Sequence, residues 1–162
     1  MIDHKLEIFQ EIFIPIPVDQ VWNFFIDQNQ MKNWFRADKF VIDIWEGGEI
    51  EIPLSFDGYE CHAIGEIGLV LPKSKFAFVW RERDEFGDEW FNTTTVTLHL
   101  EEKDNGTQVK LVHSGFNYLP LEIQQDTLDR YSVYWNASGI LERLNQLISV
   151  DGNVLGNSQE TA

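Results

Sequence analysis

The feature that most constrains the fold is the stretch from Asp126 to Ser149, which has the spacing of one long amphipathic helix. Its apolar residues recur at steps of three and four, so they share one helical stripe. The stripe consists of Val133, Tyr134, Ala137, Ile140, Leu141, Leu144, Leu147 and Ile148. Such a helix is about 36 Å long and can cross a small domain. Because Tyr131 and Trp135 lie just outside the stripe, we expect the first half to contact protein or a ligand on more than one side.

Most of the chain before this helix alternates between apolar and polar residues with the period of two that is typical of strands. The predicted strands cover residues 6–14, 38–45, 50–54, 59–70, 76–80, 93–101 and 107–116. Two short helices, 18–26 and 31–35, are predicted between the first two strands. We expect Asp19 to cap the first of them. Turn signals at Gly47-Gly48 and Asn105-Gly106 indicate hairpins. The order predicts an α+β fold in which one antiparallel sheet is covered by the long helix.

Length and composition limit the domain count and the partners. The 162 residues predict a single domain, residues 1–150, with a flexible polar tail at 151–162. Asp plus Glu number 27 against 12 Lys plus Arg, a net charge of −15 that repels nucleic acids and anionic membranes. No apolar run reaches the roughly 18 residues that membrane insertion requires. The lone Cys61 excludes an intrachain disulfide, and no signal peptide is visible, so we expect a cytoplasmic protein.

Several short motifs occur in a characteristic order. They are Pro17 to Trp22 (Pro-x-x-x-Val-Trp), Trp34, Gly47-Gly48, Trp80, Gly106-Thr107, His113 to Phe116 (His-Ser-Gly-Phe), and Trp135 with Leu141 and Leu144. In this order they resemble the START-like helix-grip superfamily, and most of all the family related to the C-terminal domain of the activator of heat shock protein 90 ATPase. The resemblance covers roughly residues 6–150. It implies a curved antiparallel sheet of about seven strands wrapped around a long C-terminal helix, with two short helices after strand one.

The resemblance also implies a ligand. Members of the superfamily commonly hold an apolar molecule between the sheet and the long helix. This chain departs from the family pattern at Tyr134, where the family usually has a glycine. The additional ring changes the shape of the implied cavity. The resemblance therefore implies a pocket without implying a particular reaction.

Large apolar and aromatic residues on the inward faces are the candidate ligand-binding set. They are Trp22, Trp34, Phe78, Trp80, Leu98, Leu111, His113, Tyr131, Tyr134 and Trp135. Flat rings can line a ligand pocket or fill a core, and both interpretations stay open. The small residues Cys61, Ala63 and Gly65 leave space for a ligand or let the helix approach closely. Gly139 costs about 1 kcal/mol within a helix, so we expect close packing or a ligand to explain it.

Polar residues indicate no catalytic or metal site in this sequence. His113 is the one histidine predicted to face inward, and a structural role is favoured because no carboxylate nearby in sequence shares its face. Glu49, Glu51, Glu60 and Glu66 point outward by alternation. We interpret the charged segment Arg81 to Glu89 as a solvated hairpin tip. No zinc spacing, nucleotide-binding loop or other cofactor motif is present, so we predict no catalytic residue, metal or cofactor.

Three functions are consistent with these observations. The first is binding of a small hydrophobic or aromatic ligand, such as a lipid, polyketide or flavonoid, between the sheet and the C-terminal helix. The second is a polyketide cyclase or aromatase, since positioning in an apolar pocket can carry much of such a reaction. The third, implied by the resemblance alone, is a co-chaperone-like module that binds a chaperone or another protein. We favour the first and lean against an enzyme.

Overall fold

The computed structural model describes residues 6–27, 29–30, 33, 41–42, 45–56, 58–137 and 139–149. Seven strands form one antiparallel sheet in the order β1-β7-β6-β5-β4-β3-β2. The strands are β1 Ile8–Ile14, β2 Val41–Ile42, β3 Glu49–Phe56, β4 Tyr59–Leu71, β5 Lys75–Asp84, β6 Thr94–Lys103 and β7 Gly106–Ser114. Helix α1, Val18–Phe25, follows β1, and helix α2, Leu121–Ala137, follows β7 and a short 3-10 turn at Phe116–Tyr118. The predicted α+β helix-grip architecture is confirmed.

The sheet buries one face because its strands alternate as the sequence pattern predicts. Phe76, Phe78 and Trp80 on β5 are fully buried, and their neighbours along the strand are partly exposed. Buried positions on β6 and β7 follow the same period. Helix α2 covers this inner face, and its Tyr131 and Trp135 are both fully buried. The core therefore lies between the sheet and α2.

The predicted continuous helix from 126 to 149 is wrong in its boundaries. Helix α2 begins five residues earlier, at Leu121, and ends at Ala137. Gly139 has a φ of +58°, which glycine adopts without steric cost, and a second helical segment runs through residues 140–149. The break shifts the helical phase. Val133, predicted on the buried stripe, is consequently 64% exposed, and Tyr131 and Trp135 take the inward positions.

Two smaller expectations also change. Helix α1 begins at Val18 directly after Pro17, and no side chain caps it, so the predicted Asp19 cap is wrong. Gly65 is explained by the neighbouring strand, because a Cβ there would lie 1.8 Å from the carbonyl oxygen of Val79 on β5. A glycine is thus required at this position because the backbone of β5 approaches closely, and neither a ligand nor the helix is needed to explain it.

Some predictions fall on residues outside the described ranges. These are most of the second short helix, Trp34, much of the second predicted strand, and the tail at 151–162. None of the helices within the described ranges combines the length and the apolar content needed to cross a membrane.

Candidate ligand-binding site

Eight members of the predicted ligand-binding set are buried in the structure. Trp22, Phe78, Trp80, Leu98, Leu111, His113, Tyr131 and Trp135 are each at most 5% exposed, Tyr134 is partly buried, and Trp34 lies outside the described residues. The rings around Tyr131 contact one another. Its ring centroid lies 5.8 Å from that of Trp80 and 4.9 Å from that of His113, in edge-to-face arrangements. These rings fill the space between β5, β7 and α2.

His113 is held by hydrogen bonds on both ring nitrogens. The indole nitrogen of Trp135 donates to Nδ1 over 3.1 Å, and Nε2 lies 2.7 Å from Oγ1 of Thr94. Since Nδ1 accepts, the neutral ring carries its proton on Nε2 and donates it to Thr94, whose hydroxyl donates to the carbonyl of Trp80. Burial lowers the pKa of His113 to about 3, so the ring is neutral. Neither nitrogen is left to transfer a proton to a substrate.

Glu82 is a buried carboxylate that the sequence interpretation missed. Strand β5 continues to Asp84, so part of the segment predicted to be a solvated tip lies within the sheet, and Glu82 is 1% exposed. Residues 85–89 are exposed, as predicted. The signal was available in the sequence, because Glu82 continues the period of two set by Phe78 and Trp80. The charged residues on both sides of Glu82 indicated a solvated segment instead.

Three side chains around Glu82 donate four hydrogen bonds to it. Arg130 makes a bidentate pair, with distances of 2.7 and 3.2 Å. Tyr131 donates to Oε2 over 2.6 Å, and Tyr59 donates to Oε1 over 3.1 Å. The indole of Trp80 in turn donates to the Tyr131 oxygen over 2.9 Å. Glu82 is therefore an ionised carboxylate whose charge is balanced by one guanidinium. Each of its two oxygens accepts two hydrogen bonds.

The surroundings of this ion pair are aromatic. The guanidinium of Arg130 lies 4.5 Å from the ring centroid of Phe56 and 4.7 Å from that of Tyr59. Burial, followed by the charge of Glu82, raises the pKa of the Cys61 thiol to about 12 and the pKa of Tyr131 well above its usual range. Both groups are consequently protonated at neutral pH and cannot act as anionic nucleophiles.

An open groove occurs where the sheet edge meets the helix break. It has a volume of about 330 Å³ and lies between β1 and the turn at Gly139. Its lining residues are Gln10, Glu11, Ile12, Trp135, Asn136, Gly139, Leu141 and Glu142. Among the described members of the predicted ligand-binding set, Trp135 alone lines this groove. The sequence signal for it was Gly139, which follows the end of α2 and lines the groove.

The polar groups of the groove are amides and carboxylates. Gln10 Nε2 donates to Asn136 Oδ1 over 2.5 Å, which bridges β1 and α2. Each amide keeps a second polar atom, the Gln10 carbonyl oxygen and the Asn136 amino group. Within the described ranges, no three His, Cys, Asp or Glu side chains are grouped so as to hold a metal ion. The groove therefore combines apolar walls with the donor of Asn136, the acceptor of Gln10 and the carboxylates of Glu11 and Glu142.

Comparisons with known proteins agree with this fold. Residues 15–148 match the model of a family described as Activator of Hsp90 ATPase homolog 1-like protein. Protein Ms6760 from Mycobacterium smegmatis is similar at 21% identity over 88% of this chain and 90% of that chain, with a TM-score of 0.69. CalU16 from Micromonospora echinospora is similar at 25% identity over 95% and 82%, with a TM-score of 0.58. A search of curated protein sequences finds no match.

Proposed function

The chain belongs to the family of Activator of Hsp90 ATPase homolog 1-like proteins, and we propose that it binds a small, neutral, largely aromatic molecule between its sheet and its C-terminal helices. The fold is a ligand-binding fold, and the sequence resemblance implies a ligand in the same place. The observation that carries the proposal is the groove at the helix break. This groove opens between strand β1 of the sheet and the helical segments on either side of Gly139.

The size and walls of the groove suit a small ring system. A volume of about 330 Å³ falls within the range of small-molecule sites, at its lower end. Ile12 and Leu141 supply aliphatic walls, and the fully buried Trp135 also lines the groove. A ligand that buries about 300 Å² gains about 7 kcal/mol, and association costs at least about 4 kcal/mol. We therefore expect millimolar to micromolar affinity from burial alone.

Charge narrows the ligand class further. Glu11 and Glu142 line the groove, and the whole chain carries a net charge of −15. Both disfavour an anionic ligand such as a fatty acid. The free donor and acceptor of Asn136 and Gln10 suit a carbonyl or hydroxyl group on the ligand. A neutral flavonoid-like or polyketide-like molecule meets these conditions better than a fatty acid.

Binding rather than catalysis is proposed because the inward polar groups are already engaged. His113 uses both nitrogens within the core, and Glu82 accepts four hydrogen bonds from three side chains. Neither is arranged to exchange a proton with a molecule in the groove.

Thermal unfolding and calorimetry with a neutral probe test this proposal. Flavone, which is uncharged, is expected to raise the Tm in a dose-dependent manner, and myristate to raise it much less. Asn136 is exposed and lines the groove, so Asn136→Trp should fill the groove and abolish the flavone effect. Asp129→Trp is the matched control, because Asp129 is exposed two helical turns earlier on the same helix.

The two variants decide the outcome together. Loss of flavone binding in Asn136→Trp with retention in Asp129→Trp supports the groove as the site. Equal binding by wild type and Asn136→Trp places any ligand elsewhere. Absence of stabilisation by flavone, by a neutral aromatic polyketide and by myristate alike overturns the proposal.

A further inference from the structure

Exposed apolar side chains gather at the end of the sheet where β6 begins and α2 starts. Phe91 is 97% exposed, Leu121 is 81% exposed and Tyr118 is 67% exposed. We call these three residues the loop-end patch. Large apolar side chains exposed to this degree are individually common, but a cluster on adjoining loops is typical of interaction surfaces.

The loops that carry the patch are held together. The side-chain amide of Asn92 donates a hydrogen bond to the backbone carbonyl oxygen of Tyr118 over 2.6 Å. A Cβ built on Gly115 would lie 3.3 Å from Cα of Thr94 and 3.5 Å from the ring of Tyr118, so the two segments pack closely there. Tyr118 N also donates to Gly115 O, which closes the 3-10 turn. The patch is therefore pre-organised, which reduces the entropy cost of binding.

The rim of the patch is acidic. Glu122 directly follows Leu121 on α2, and Asp126 lies one turn further along the same helix. Both are exposed, and no ion pair involves either of them among the described residues. The arginines of this end are already paired: Arg81 with Glu89, Arg83 with Glu51, and Arg130 with Glu82. The loop-end patch consequently combines apolar side chains with uncompensated negative charge.

We propose that the loop-end patch docks an amphipathic, positively charged segment of a partner protein. Its apolar side chains would cover Phe91, Tyr118 and Leu121, and its lysines or arginines would face the carboxylates of the rim. A second copy of this chain is a poor occupant, because each copy carries a charge of −15 and a like rim. The patch is about 22 Å along α2 from the groove, so the two sites are separate.

A synthetic peptide provides the first test. The probe is an amphipathic helical peptide of about 14 residues with leucine on one face and lysine on the other. Wild-type protein should bind it in fluorescence anisotropy. Phe91→Ser and Leu121→Ser should each weaken the binding about tenfold, as expected for apolar anchors. Trp45→Ser is the matched control: Trp45 is 61% exposed but precedes β3, which lies three strands away from β6 in the sheet.

Charge and self-association are tested on the same samples. Glu122→Lys should weaken the peptide binding, and binding should fall as salt rises from about 50 mM to about 500 mM. The proposal is overturned if the peptide does not bind, if Trp45→Ser weakens binding as much as Phe91→Ser, or if a glutamate version of the peptide binds equally. Sedimentation showing a dimer that Phe91→Ser dissolves would assign the patch to a second copy instead. Circular dichroism confirms that each variant is folded.

Discussion

Glu82 and His113 are two buried polar residues on the inner face of one sheet, and they differ in charge. Glu82 on β5 is ionised and paired with Arg130, whereas His113 on β7 is kept neutral by burial. Both lie against Tyr131, which donates to Glu82 and packs edge-on to the His113 ring. The difference is set by α2, which presents a guanidinium to one residue and an indole to the other. A buried charge is retained only where a counter-charge reaches it.

The largest expected effect comes from removing the counter-charge. Arg130→Met leaves Glu82 buried and unpaired, so we expect a loss of about 3–5 kcal/mol in the free energy of unfolding, measured in urea. The matched control is Arg81→Met, which removes an ion pair whose arginine and glutamate are 30% and 42% exposed. That variant should lose less than about 1 kcal/mol.

A double variant sharpens this result. Glu82→Gln in the Arg130→Met background removes the unpaired charge and keeps an acceptor for Tyr131, so it should recover part of the lost stability. If Arg130→Met is no more destabilising than Arg81→Met, or if the double variant recovers nothing, then charge compensation is not what stabilises Glu82.

The second effect is a pH dependence assigned to His113. Its pKa falls from 6.5 to about 3 on folding, so the unfolded state binds the proton more readily. The contribution of His113 to the free energy of unfolding is therefore fully present above pH 6.5. It falls by about 1.4 kcal/mol per pH unit as the pH decreases from 6.5 towards 3. Between pH 7 and pH 5 the wild type should lose about 2 kcal/mol more than His113→Gln in urea unfolding.

His99 provides the comparison for this experiment. Its pKa is also lowered, by burial and then by Lys75 and Lys110, but it lies on the outer side of β6 and is less buried. His99→Gln should therefore flatten the pH profile less than His113→Gln does. Parallel profiles for wild type and His113→Gln would show that His113 is not held neutral by the fold.

The smallest expected effect concerns the hydrogen bond behind His113. Thr94→Val is nearly isosteric but leaves the Nε2 proton of His113 without an acceptor. It should therefore lower the free energy of unfolding by about 1–2 kcal/mol. Thr97→Val on the outward face of β6 is the control and should change stability by less than about 0.5 kcal/mol. Equal effects of the two substitutions would mean that the hydrogen bond to Thr94 adds nothing to stability.

Much of the fold could be predicted from local sequence signals. The strands follow from alternation, and their hairpin order follows from short connections between neighbours. His113 was predicted to face inward from the period of its strand, whereas Tyr131 and Trp135 lay just outside the predicted helical stripe and were included in the ligand-binding set as large aromatic residues. By contrast, Glu82 was missed because a charged residue within a charged run indicates solvent, and its partners on α2 are 48 and 49 positions away.

The position of the candidate groove also could not be predicted from the sequence. A glycine within an amphipathic run permits either a continuous helix or a break, since its cost in a helix of about 1 kcal/mol is smaller than the energy of packing. The structure takes the break, with Gly139 in the left-handed region and the following apolar residues turned towards the core. That choice opens the space beside Ile12 and Asn136.

The sequence by itself determined the consecutive hairpins from β2 to β7, the inward faces of the strands and the acidic surface, because these depend on neighbours in the chain and on totals of charge. Tertiary structure alone decided which buried group is charged, where the long helix breaks and which loops expose Phe91 beside Tyr118. Those features depend on contacts between residues far apart in sequence. Such contacts can outweigh local preference, because a buried ion pair or a packed ring contributes more free energy than one helical residue.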